Sequence, residues 1–249
     1  MKHSRPRGLS RRRVENLLSK TKYDRSTGGR IDLLSRHFLG HPYEPNPLIG
    51  SADSSEVFTA SLDGFDCVTF IETILALARA ANVDDFIEWL RQIRYEQGRI
   101  QWKWRNHYMT LWIRNNISEG IIKPFSMPGI PTLSRERVLN LVPGLAAQRT
   151  RVRCVPKASL PRLATKLQNG DLIFFVSTRK NLDVFHAGII VRDGESLRMR
   201  HASRSQGMVV EQELSTFLKD NRMVGVIAVR PQDVMERPAA TKLGHRVCR

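Results

Sequence analysis

In Gly64-Phe65-Asp66-Cys67-Val68-Thr69-Phe70-Ile71-Glu72 a polar loop turns into a helix. Apolar residues recur at Val68, Ile71, Ile74, Leu75 and Ala78, the spacing of one helical face, which predicts a helix over 66–80 for the core to form around. Asp66 is placed to cap it. Cys67 then lies in the first turn, where the dipole and unpaired backbone N–H groups favour thiolate, the nucleophilic form. Cysteine is also a common small core residue, so the helix alone does not separate a catalytic role from packing.

Two histidines add weight to the catalytic reading. His186 stands at the head of His186-Ala187-Gly188-Ile189-Ile190-Val191, and His201 closes Ser196-Leu197-Arg198-Met199-Arg200-His201. Both runs read as strands, and Asp193-Gly194 between them is a hairpin signal. One hairpin would therefore carry both imidazoles side by side, as a base and its orienting partner require. Taken singly, each could equally be a satisfied structural histidine.

Cysteine at a helix start, a strand opening His-Ala-Gly-Ile-Ile-Val and a strand ending His-Ala-Ser together resemble the NlpC-type cell-wall cysteine hydrolases. The closer resemblance is to their N-acetylmuramoyl-L-alanine amidase-like branch, long catalogued as a domain of unknown function. Four segments carry it: 38–43, 65–72, 105–108 with Trp112, and 170–173 through 201–203, in order between about Ile31 and Arg230. The resemblance implies an α+β, papain-like core with N-terminal helices packed on an antiparallel β-sheet. It implies Cys67 as nucleophile, His186 as base and His201 as the residue that orients it. Tyr43 corresponds to a tyrosine that precedes the nucleophile, and its hydroxyl is a candidate oxyanion donor beside the Cys67 backbone N–H. Arg105, His107, Tyr108 and Trp112 become candidate substrate contacts, with Ser203 lining the cleft. One departure stands out: an acidic residue is expected before Trp112, and this chain has Leu111.

The implied reaction is hydrolysis of the N-acetylmuramoyl-L-alanine bond in peptidoglycan fragments, without metal or cofactor. The same triad serves a stem-peptide endopeptidase, because triads do not encode substrate. An acyltransferase on lipid is more distant, since no apolar anchor is visible. A different class, a non-catalytic basic protein binding nucleic acid or glycan, is suggested by the net charge of +16. No nucleic-acid-binding signature supports it.

The chain has 249 residues, enough for one substantial core. No apolar run approaches the ~20 residues that span a bilayer. Nor does an apolar stretch follow the basic start, so no signal peptide is visible; the expectation is a bacterial cytoplasmic protein, or one exported by another route. The organisation expected is a basic segment over 1–30, a hydrolase domain over 31–235 and a basic tail over 236–249. Arginines cluster at 5, 7, 11, 12, 13, 246 and 249, and again at 149, 151 and 153 with Lys157. Solvated faces account for most such runs. Three cysteines imply no disulfide framework, although Cys154 and Cys248 could pair. Further helices are expected over 9–20, 31–39, 83–96 and 135–142, and strands over 172–176, 187–191, 196–201, 209–212 and 224–229. The aromatic-rich stretch 102–113 is ambiguous. Asp171, after Asn169-Gly170, reads as a turn residue.

Overall fold

The computed structural model describes residues 6–24, 26–125 and 128–233. Helices come first: α1 (Arg11–Lys20), α2 (Thr27–His37), then a small hairpin of β1 (Ile49–Ser51) and β2 (Ser54–Val57), then α3 (Cys67–Arg79), α4 (Val83–Arg94) and α5 (Met109–Ser118). The sheet follows: β3 (Ile122–Pro124), β4 (Leu133–Leu139), β5 (Gln148–Pro156), helix α6 (Leu160–Ala164), β6 (Leu172–Val176), β7 (Val184–Asp193), β8 (Ser196–Ser203), β9 (Met208–Glu213), helix α7 (Leu214–Asp220) and β10 (Gly225–Pro231). The strands lie in the order β4-β5-β10-β6-β7-β8-β9, with β3 also on β10, and every pairing is antiparallel. This is the α+β layout of helices on an antiparallel sheet.

Alternation along the strands sends side chains to two cores. Leu172, Phe174, Ala187 and Ile189 pack with α1–α5, while Ile173, Phe175, Ile190 and Met199 pack with α6 and α7. β6 is therefore buried along its whole length. α3 is more enclosed than a one-sided helix. Every residue from Thr69 to Arg79 is buried, because β7 and β8 cover one side and α1, α2 and α4 the other. α1, within the basic N-terminal segment, places Val14, Leu17 and Leu18 in that same core.

The helix expected over 135–142 is instead strand β4, paired residue for residue with β5 from Leu133↔Cys154 to Leu139↔Gln148. The arginines at 149, 151 and 153 lie on β5, alternating with buried Val152 and Cys154. The 102–113 stretch resolves into a single 3-10 turn at Trp102–Trp104 followed by α5. Asp171 closes the expected turn, its N–H bonding the Gln168 carbonyl at 3.1 Å, and its side chain is buried. It accepts from Arg230 and from the Gln168 backbone N–H. Cys154 is a buried free thiol, and Cys248 lies outside the described residues, as do the arginines at 5, 246 and 249 and the 236–249 tail. No helix among the described residues is long and apolar enough to cross a membrane.

Candidate active site

Asp66 fixes the start of α3. Its carboxylate accepts from the backbone N–H groups of Val68 (3.0 Å) and Thr69 (2.7 Å), and the Thr69 hydroxyl bonds back to the Asp66 N–H (3.0 Å), closing a capping box. Cys67 follows, partly exposed, with the backbone N–H groups of Ala187, Cys67 and Val68 favouring charge on its sulfur. Those donors do not win. Burial first, and the Asp66 carboxylate second, push the thiol up to about 12. The expectation of a dipole-stabilised thiolate is thus corrected: the residue that caps the helix supplies an opposing negative charge.

The two imidazoles meet. His186 Nε2 and His201 Nδ1 are 2.7 Å apart, with the rings edge to face. Hairpin geometry brings this about. The register Ile189↔Arg200 sets His186 across from Ser203 and one diagonal step from His201, on the same face of the sheet. The turn is the one Asp193-Gly194 predicts, with Gly194 at φ +58°. A bulge between Phe175↔His186 and Val176↔Val184 re-aims the strand at this point. Gly188 lies on the same face as His186; a Cβ there would meet Met199 Sδ at 2.6 Å.

Aromatic rings hold the pair. Phe217 of α7 stacks on His186 at 5.3 Å and meets His201 at 5.6 Å, while Phe175 lies 6.2 Å from His186. This apolar packing lowers His186 to about 3 and His201 to about 4, with the neighbouring His201 adding to the effect on His186. Both rings are therefore neutral at physiological pH, and the 2.7 Å contact has one donor and one acceptor. His201 Nε2 is buried with no partner. If His186 is to act as a base, its Nε2 carries the shared proton, which leaves the lone pair on Nδ1. Among the described residues no hydrogen bond joins Cys67 to His186. Ala187, whose N–H acts on the sulfur, follows His186 in β7. It packs on the α3 side of the sheet, however, whereas His186 packs with Phe175 and Phe217 on the α7 side, and Cys67 is not among the residues lining the groove beside the imidazoles.

Tyr43 lies near Cys67, Asp66 and Arg204. Residues 40–43 run along β9, with Gly40 N–H to Val209 O (2.9 Å), Val209 N–H to His41 O (2.8 Å) and Tyr43 N–H to Gly207 O (2.8 Å). Burial, then the nearby Cys67 and Asp66, raise the Tyr43 phenol above its ordinary value, so it stays a donor. An open groove of about 480 Å³ runs past the imidazoles, lined by Phe185, His186, His201, Ser203, Arg204, Ser205, Phe217 and Asn221. Ser203 thus lines the groove, its hydroxyl 3.2 Å from that of Ser205.

The remaining candidates lie elsewhere. Trp112 is fully buried and donates from its indole to Glu72 (3.2 Å), itself paired with Arg94 (2.7 Å). Tyr108 is buried, and its hydroxyl accepts from the backbone of Leu141 (2.9 Å) and Val142 (3.2 Å). Neither ring is free to contact a substrate, because each has its polar end committed inside the fold. Arg105 is ion-paired with Glu56, and His107 bonds the Trp102 carbonyl at 2.8 Å. Phe175, Phe217, Arg204 and Asn221 were not among the sequence candidates. No helix is expected over 214–220 from the residue pattern, so Phe217 carried no advance signal. Among the described residues no cluster of three or more His, Cys, Asp or Glu side chains is arranged to hold a metal.

Residues 33–226 match the AmiA-like family, described as N-acetylmuramoyl-L-alanine amidase-like. The chain belongs to that family. Solved structures agree with the AmiA-like assignment at the level of fold. A Legionella pneumophila protein of the family labelled DUF1460 superposes with a TM-score of 0.77 at 20% identity, over 89% of this chain and 94% of its own. An N-acetylmuramoyl-L-alanine amidase from Bacteroides uniformis gives 0.73 at 26% identity, over 83% and 99%. A Bacteroides fragilis structure described as a xylanase candidate gives 0.67 at 28%, over 79% and 98%. No curated protein sequence matches this AmiA-like chain.

Proposed function

We propose that this AmiA-like protein is a cysteine-dependent amidase of the papain-like, NlpC-type superfamily that cleaves the N-acetylmuramoyl-L-alanine bond of peptidoglycan fragments. The observation that carries the reading is the 2.7 Å His186–His201 contact on the strand whose next residue, Ala187, directs its N–H at the Cys67 sulfur. The substrate assignment rests on the family and on the B. uniformis amidase.

The resting site is a neutral thiol beside a neutral imidazole. A free thiolate is therefore not stored; the proton moves as the sulfur attacks. His186 Nδ1 takes the thiol proton while Sγ bonds to the amide carbon, and the carbonyl oxygen becomes an oxyanion. The Cys67 N–H and the protonated Tyr43 hydroxyl are the donors placed to meet it. His201 accepts from His186 Nε2–H and steadies the imidazolium that forms. That imidazolium returns its proton to the alanine nitrogen as the C–N bond breaks, leaving a thioester on Cys67. Water, deprotonated by His186, then releases the acid and restores the thiol. A contact that tightens only with substrate is usual for such bases, which accords with the open Cys67–His186 arrangement.

Glycoside hydrolysis is disfavoured. It needs paired carboxylates, whereas no carboxylate among the described residues lines the groove and Asp66 is committed to the α3 cap. The experiment is digestion of defined muropeptides read by mass spectrometry. Free muramic-acid sugar and intact stem peptide are expected from the wild type and neither from Cys67→Ala. Equal cleavage by Cys67→Ala would end the reading. Fragments cut within the peptide would move the assignment to an endopeptidase, and no cleavage together with salt-steep nucleic-acid binding would favour the basic binding class.

A further inference from the structure

Among the described residues lining the groove that passes His186 and His201, Arg204 is the charged one. It is exposed, and among the described residues no carboxylate pairs with it, although ion pairs bind many of the protein's other arginines. Its charge also reaches the Tyr43 phenol. The backbone beneath it is fixed. Gln206 N–H bonds the Ser203 hydroxyl (3.3 Å), Gly207 turns the chain at φ +68°, and Gly207 O holds the Tyr43 N–H at 2.8 Å. A long cationic side chain thus stands on a fixed backbone turn at the rim of the groove.

We propose that Arg204 is a substrate-binding residue that selects a carboxylate on the stem peptide. The inference rests on the amidase reading for the identity of the substrate and goes beyond it in naming what the groove discriminates. A guanidinium offers a planar pair of donors that matches a carboxylate and has no comparable match in a neutral amide. Phe185 and Phe217 line the groove beside Arg204.

The test uses the full chain and two muropeptides that differ only in whether the α-carboxyl of the second stem residue is free or amidated. Wild type should favour the free acid by about tenfold in kcat/KM, the size of one charge-assisted bond, with the difference lying in KM. Arg204→Gln should bring that ratio to near one, and Arg204→Lys should keep a reduced preference. A ratio unchanged in Arg204→Gln overturns the proposal. So does a loss confined to kcat with a displaced pH profile, which would mean that Arg204 acts through Tyr43. Calorimetric binding of both peptides to Cys67→Ala, with and without Arg204→Gln, separates the two readings. Discrimination that needs Arg204 in a protein that cleaves nothing would sink the amidase and leave the carboxylate site standing. Cleavage with no Arg204-dependent discrimination would do the reverse.

Discussion

Replacing His201 by asparagine should flatten the acid side of the protein's stability curve. Folding holds His186 at about 3 and His201 at about 4, against an ordinary histidine value near 6.5. Above 6.5 neither the folded nor the unfolded chain binds the proton, and stability is undiminished. Below it the unfolded chain takes up protons that the buried rings refuse, so stability falls until pH reaches the folded values. Each imidazole contributes a loss of ~1.4 kcal/mol per pH unit in that window. Between pH 7.5 and pH 5 this comes to about 2 kcal/mol for His201, which is 3% exposed. His186, on the groove, contributes less than that because solvent reaches it. A total stability of ~5–15 kcal/mol makes such a loss visible. Asparagine keeps an acceptor where Nδ1 stood, so His186 Nε2–H retains a partner while the titrating ring is gone. Urea unfolding at pH 7.5, 6 and 5 is the assay. The wild-type drop should exceed that of His201→Asn by about 2 kcal/mol. His37, His41 and His107, also lowered by burial, contribute equally to both proteins and cancel. Parallel pH dependences in the two proteins would refute the neutral, desolvated pair.

Two further outcomes are expected. Asp66→Asn removes the charge that helps hold the Cys67 thiol at about 12. Alkylation followed against pH should then show an earlier rise, with a cap loss of ~1 kcal/mol in thermal or urea unfolding; an unmoved alkylation profile would mean that burial alone sets the thiol. Glu72→Gln leaves Arg94, 2% exposed, without its carboxylate and should cost ~3–5 kcal/mol, whereas Glu72→Leu with Arg94→Met should recover much of it. Equal stability of the single variant and the wild type would show that the pair is not desolvated.

Much of this arrangement can be read from residue order because its signals are local. Helix α3 begins where Asp66 can cap it, and its apolar period carries it to Arg79. The β7–β8 hairpin follows from Asp193-Gly194 and β-branched runs, and it alone determines that His186 and His201 share a face. What escaped was non-local. Arg137 breaks the alternation of β4 because it points inward and bonds the Ser177 carbonyl at 2.9 Å, a partner that exists only after folding. Trp112 and Tyr108 fall in a stretch rich in aromatic and basic residues, yet Glu72, Leu141 and Val142 draw their polar ends inside. The thiol was misjudged for a related reason. Burial, which only the fold creates, disfavours the thiolate most, and the Asp66 carboxylate at the helix start adds to it.

The 40–43 segment has a consequence for how the molecule meets its own kind. An outer strand with unpaired amides invites a neighbour to add to the sheet. Here that rim is closed at β9 beside the cleft by the chain itself, through Gly40, His41 and Tyr43. The far rim, β4, instead presents Arg135 and Glu136 to any approaching strand. Intermolecular stacking is discouraged at both ends, by occupation at one and by charge at the other. The segment that performs the occupation also carries Tyr43, so loosening it would open a sticky edge and displace the phenol in a single event.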